Sequence, residues 1–475
     1  MTIPSGAHAL STVQVRDSTI NDCLPVEVLE VIFLWACASA QACQPATPDR
    51  RRRILLPFRV AAVCRLWRYL AIANPLLWSD IVVDTHTFTS IACQTSYIEL
   101  LLARSKDRPL NIYVYYVRET VAQADRAALE GYLFRFLGQV VHRWRCLHLV
   151  MPPECTSRKR LEVFAQETPL LEELCVDFNF SRGCHAPYLA SISSSWGKHY
   201  LPFCPRLRTL LLHNIGFAPL YPKRWIPEPL LSVQELDLGS TGMDPCEQVR
   251  LLNLTPDLVT LRFCNFRMFS PGTSAHATML DLAHLKHLTI PSMAPRLLDA
   301  WAPGLTGLHN LETLDMTGHA RRELANVLRV VRPTVTTLSF TLEDGDLAPH
   351  TGGALFRRCA SAKAPQGLFR ALCDAERRMW PALQVVQLRG ADFRGDAQPG
   401  FFAGADGAAQ ALVDFAVSRN APRAIHAEEA AGRTPRARLT RLVLLGCQID
   451  PFIPSGIRVF VPVEELPVDS AWLSA

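Results

Sequence analysis

His284 and His287 stand in an HxxH spacing, which would offer two imidazoles to one metal ion if a carboxylate or thiolate joined them. His287 falls inside a strand pattern with His284 beside it, and without such a companion the pair reads as a surface feature. Cys37 and Cys43 are equally unaccompanied. The chain has 15 cysteines but no CxxC pair, so neither a zinc site nor any cofactor is expected. Cys64, Cys175, Cys264 and Cys447 lie within helix or strand patterns. They read as buried thiols in a reducing compartment, cytoplasm or nucleus. There is no phosphate-binding loop, no G-x-S-x-G elbow and no dinucleotide fingerprint. The chain is therefore expected not to be an enzyme, and catalysis belongs to a partner.

What the sequence does supply is a scaffold. From about residue 140 a pattern recurs: apolar, two variable residues, apolar, one variable, apolar. Copies begin at Leu171, Leu207, Val233, Leu258, Leu285, Leu311, Val335, Leu383 and Leu439, with an earlier one at Trp144. Between Leu207 and Val335 the steps are 26, 25, 27, 26 and 24 residues. This period and the LxxLxL core mark leucine-rich repeats, each giving one short strand and a returning helix or turn. Amphipathic connectors stand at 244–254, 294–301, 320–331, 367–380 and 408–417. Near the end the spacing stretches to 48 and 56 residues, with extra material at 342–366 and 391–437. These segments are insertions or hide a further repeat. The repeat leucines should face inward, and the residues between them the concave side. That places Asp177, His213, Asp237, Arg262, Thr289, Asp315, Ser339, Gln387 and Arg389 on one mixed-charge surface, suited to a protein ligand or simply solvated.

Composition bounds the rest. Of 475 residues, 49% are hydrophobic and 20% charged, which is globular composition. A net charge of +5 is too small and scattered for nucleic acid as the main partner. Aromatic residues are not interleaved with Lys and Arg as in single-strand binders. No apolar run reaches membrane-spanning length and no secretory signal opens the chain.

Ahead of the repeats, Leu24 to Trp78 is strongly apolar and helical in period. Leu24, Val28, Val31, Ile32 and Trp35 share one face, Leu29 and Phe33 a second, and Pro25 sits near the first helical position. Val60, Val63, Cys64, Trp67 and Leu70 repeat the spacing until Asn74-Pro75 stops it. Three short helices cannot cover so much apolar surface by themselves, so a partner is expected.

Leu24-Pro25, Glu27, Val28, Ile32, Phe33, Val63-Cys64-Arg65, Trp67-Arg68, Leu70, Pro75, Leu77 and Trp78 together resemble the F-box. Family members dock this motif onto the Skp-type adaptor of SCF ubiquitin ligases. An F-box followed by irregular leucine-rich repeats is similar to fungal F-box substrate receptors. The resemblance implies adaptor contacts by Leu24, Pro25, Val28, Ile32, Phe33, Val63, Cys64, Trp67 and Leu70, with Val63, Trp67 and Leu70 equally suited to the interior. It departs from the family at Ser39–Pro57, where Pro45, Pro48 and the Arg50–Arg53 run read as a solvated loop. The arginines fit a basic loop or a nuclear-localisation run.

The expected fold class is α/β: a small helical F-box, then a solenoid, a horseshoe of parallel strands with outer helices. The expected layout is a disordered tail at 1–19, the F-box at 20–85 with a loop at 39–57, and an irregular capping unit at 86–143. Repeats at 144–460 and a tail at 461–475 follow. The expected role is substrate recognition for an SCF-type ligase, with a Skp-type adaptor, through it a cullin, and a protein substrate as partners, and no nucleic acid or membrane. The alternative is a non-degradative leucine-rich-repeat scaffold whose F-box is vestigial or ligase-independent.

Overall fold

In a computed structural model, the chain divides into two compact units, Met1–Val82 with Ser96–Arg108, and Val83–Thr95 with Pro109–Ala475. The described residues are 24–39, 47–84, 90–116, 123–151, 162–178, 203–213, 229–239, 248, 251–264, 282–290, 308–317, 335–341, 382–389, 408–421, 424–426, 430, 437–445, 457–458 and 461–466. The 1–19 tail, the 342–366 segment and the connectors at 294–301, 320–331 and 367–380 lie outside them. No helix among the described residues is long and apolar enough to cross a membrane.

The first unit is built on α1 (Val26–Ser39), α2 (Thr47–Ala62) and α3 (Arg65–Ala73). The carbonyl of Pro25 accepts from the amides of Val28 and Leu29, placing proline just ahead of the first turn. Cys64 caps α3: its sulfur accepts from the amide of Trp67 at 3.4 Å. Asn74 ends that helix, and its side chain accepts from Leu76 N at 3.1 Å to start the turn Pro75–Trp78. Trp78 is the hub. Its indole N–H donates to the carbonyl of Ala71 at 2.6 Å, Phe58 meets it edge-on at 5.3 Å, and the Arg104 guanidinium lies 4.2 Å from its ring.

The expected loop at 39–57 needs correction, because residues from Thr47 onward, the arginine run included, belong to α2. The apolar stretch that follows explains it. Pro57, Val60 and Ala61 are buried and Phe58 packs on Trp78, so the helix gains cover along its C-terminal half. Pro48 falls in the first turn, where its missing N–H costs nothing.

The second unit is a strand ladder. β2 (Leu110–Tyr115), β3 (Trp144–Met151), β4 (Glu173–Phe178), β5 (Thr209–His213), β6 (Glu235–Gly239) and β7 (Thr260–Cys264) open it. β8 (His287–Ile290), β9 (Thr313–Thr317), β10 (Thr337–Thr341), β11 (Val385–Arg389), β12 (Arg441–Leu445) and β13 (Val463–Leu466) continue it. Neighbours in sequence are neighbours in the sheet, all parallel. β1 (Asp80–Asp84) lies where the chain passes between the units. The ladder extends past both ends expected of it: β2 precedes residue 144, and β13 stands inside the expected C-terminal tail.

Register explains why the repeats fold this way. Ile112, Leu147, Leu174, Leu210, Leu236, Leu261, Leu288, Leu314, Leu338, Val386 and Leu442 form one continuous row, each at most 2% exposed. A single repeat could not bury its own leucine; the next repeat does so. The backbone repeats as well. The carbonyl of Gln234 accepts from both Val259 and Thr260, and Val259 from both Lys286 and His287, a shared clamp that recurs through Gln384. Helices α4 (Ile91–Ser105) and α5 (Gln123–Gln139) flank β2 in sequence, and α6 (Ala408–Asn420) falls at the connector read at 408–417.

Candidate functional site

Because strand side chains alternate, the residues between the buried ones share the opposite, open face. Pairing turns them into rows. Asp237, Arg262, Thr289, Asp315, Ser339 and Gln387 lie side by side on β6 to β11. Asp177, His213 and Gly239 form the adjacent row two residues along, to which Arg389 belongs by register. Parallel pairing thus brings the predicted surface residues onto one face in two rows.

Their exposure differs more than the spacing suggests. Arg262 is exposed, and its guanidinium pairs with Glu235 at 2.9 Å. Asp237 and Ser339 are buried. Asp237 Oδ1 lies 3.2 Å from His213 Nε2, a close imidazole–carboxylate pair folded into the face. Burial works against the charged form of His213, yet Asp237, with Asp177 behind it, outweighs this and raises the imidazole above its ordinary value. Gly239 makes room: a Cβ there would lie 2.6 Å from the His213 ring. His213 leans over its register partner to reach an acid two residues earlier on the neighbouring strand.

A second cluster was not foreseen. On β3 and β4, His148 Nε2 and Glu173 Oε1 are 2.6 Å apart, and the buried thiol of Cys146 stands beside them. One ligand atom from each lies within 4.8 Å of the others. The hydrogen bond from His148 lowers the Glu173 carboxyl; burial opposes this, while the His148 charge and a hydrogen bond from Cys146 assist. Tyr113 borders the group, its ring 5.0 Å edge-on from His148 and its hydroxyl 3.9 Å from the Cys146 sulfur. The sequence did carry a signal: Cys146-x-His148 puts both on one face, with Glu173 opposite Cys146 one repeat on. The HxxH pair is elsewhere and looser, since His284 sits 4.0 Å from Asp257 with both exposed.

Three other thiols are held protonated by their surroundings. Burial, then Asp177, Glu173 and Asp237, push Cys175 up to about 12, leaving it protonated and a poor nucleophile at neutral pH. Burial raises Cys204 to about 11 in its turn, and burial with Asp80 does the same for Cys37.

In the first unit the helix α1 separates its two apolar stripes. Leu29 and Phe33 are buried, Phe33 against the Trp67 ring at 4.7 Å. Val28, Ile32, Val31 and Trp35 stay exposed, the last two at 64% and 71%. Of the residues expected at an adaptor contact, Pro25, Val28, Ile32 and Val63 are exposed, and Leu24, Cys64 and Trp67 half-buried. Phe33 is corrected to an interior residue, and Leu70 takes the interior place it was equally suited to, because both are filled against their own unit.

The strand ladder and its LxxLxL rows are those of a leucine-rich-repeat solenoid. No protein-family model matches the chain, and no curated protein does. Among solved structures, an internalin from Listeria monocytogenes aligns over 77% of this chain and 76% of its own, at 12% identity and a TM-score of 0.28. Solenoids of this kind present an extended binding face.

Proposed function

We propose that this chain is the substrate-recognition subunit of an SCF-type ubiquitin ligase. Its N-terminal helices dock on a Skp-type adaptor, and through it a cullin, while the open face of the repeats holds a target protein. The observation that carries the reading is the exposed stripe Val28, Val31, Ile32 and Trp35 on α1, within a segment that resembles the F-box. A solvated helix seldom leaves so many large apolar side chains together unless something covers them. The chain's contribution to transfer is proximity, holding substrate near a partner's chemistry.

The docking set differs from the one the motif implies. Pro25, Val28, Val31, Ile32, Trp35 and Val63 are available to a partner, whereas Phe33 and Leu70 support them from within. A second reading is a leucine-rich-repeat interaction scaffold without ligase function, for which the parallel strand ladder and its open face suffice.

Affinity capture of the full chain with mass spectrometry separates the two. The ligase reading expects adaptor and cullin together, both lost on Val28→Asp/Ile32→Asp with the fold kept by circular dichroism. A wild-type chain that captures neither leaves the scaffold reading.

A further inference from the structure

We propose that Cys146, His148 and Glu173 form a binding site for a divalent metal ion of the zinc class on the open face of β3 and β4. The inference does not depend on the adaptor reading. Three ligand types from two adjacent strands converge: a thiol that is 6% exposed, an imidazole nitrogen and a carboxylate oxygen, all within 4.8 Å of one another. Thiolate, imidazole and carboxylate together suit zinc better than magnesium or calcium.

The protein already orients these atoms. The parallel register sets Cys146 directly across from Glu173, and the period of two puts His148 on the same face as Cys146. Tyr113 packs against the His148 ring. The fit needs a small adjustment. His148 Nε2 and Glu173 Oε1 are 2.6 Å apart as a hydrogen-bonded pair, whereas zinc bonds of about 2.0–2.2 Å in a tetrahedron hold such atoms roughly 3.3 Å apart. Rotation of the Glu173 carboxylate supplies the difference. Glu173 is 40% exposed and His148 25%, so the site opens to solvent and a water completes four-coordination. Binding replaces protons: the ion takes the place of the Cys146 thiol proton, which is released to solvent, and of the His148 Nε2 proton, which moves to Nδ1 of a neutral ring or to solvent from a charged one.

The test is a Co(II) titration of the full chain, reduced and stripped of metal. Expected is a sulfur-to-cobalt charge-transfer band with the visible bands of four-coordinate Co(II), saturating at one ion per chain and bleached by Zn(II). Cys146→Ser abolishes the charge-transfer band. His148→Gln and Glu173→Gln weaken binding by more than about 100-fold, beyond what loss of an outer-shell partner brings. Cys204→Ser, a buried thiol elsewhere, leaves it unchanged. The assignment is overturned by a wild-type chain without these bands, by bands that survive Cys146→Ser, or by equal loss in Cys204→Ser. Should Cys146→Ser fail to fold, alkylation of the wild-type chain decides. Zn(II), but not Mg(II), slows modification of Cys146 at least tenfold, and equal rates overturn the proposal.

Discussion

Two apolar patterns in this chain meet opposite fates. In the repeats every leucine of the central row is buried, from Leu147 on β3 to Leu442 on β12. On α1, Leu29 and Phe33 are buried while Val31 and Trp35, equally apolar and equally periodic, face outward. The difference lies in what each element has beside it. A repeat carries its own cover in the next copy; a short helical unit has a few neighbours and leaves one stripe over. Periodicity names a face, and only the number of packed layers decides whether that face is hidden.

The largest test of this contrast is Leu236→Ala, a fully buried side chain flanked by Leu210 and Leu261. It should cost about 2–5 kcal/mol in denaturant unfolding. A loss below about 1 kcal/mol would mean that the ladder is far looser than its register implies. Gly239→Ala comes next. With no room for a Cβ under His213, the imidazole must move off Asp237, and the expected cost is about 1–3 kcal/mol. Nuclear magnetic resonance titration should then show the His213 pKa falling. In the first unit, Cys64→Ala removes the α3 cap and should cost roughly 1 kcal/mol, with Cys64→Ser close to neutral in the same melts.

The His213–Asp237 pair adds a smaller, pH-dependent contribution. His213 is raised above 6.5 in the fold, so its stabilisation is complete below that pH and fades as pH rises through the folded value. His213→Gln should therefore differ most from the parent below pH 6.5 and least at alkaline pH. A difference that grows with pH would reverse the assignment. The smallest effect belongs to α1: Trp35→Ala should alter stability by no more than about 0.5 kcal/mol. The same variant should weaken adaptor capture, and a large loss of stability would instead make Trp35 a core residue.

Much of the solenoid was legible in the sequence because its signal repeats. A strand with LxL and a step of 24 to 27 residues recurs. The first half of the α2 helix was not legible. Prolines and four arginines hide its start, and only the packing of Pro57, Phe58, Val60 and Ala61 reveals why it forms. β13 was missed for a similar reason, since VEEL carries no leucine triplet and is held by pairing with β12.

The candidate sites divide along the same line. Which residues share the open face follows from the period of two, so the sequence by itself placed Asp237, Arg262, Thr289, Asp315, Ser339 and Gln387 in one group. It also determined that the α1 segment holds more apolar surface than it can hide. What only tertiary structure decided is partnership. Cys146 meets Glu173 across 27 positions, and His213 bends over Gly239 to reach Asp237. Those contacts depend on strand register and on the space above one glycine. Register is set by the whole stack of repeats, and no single repeat carries it.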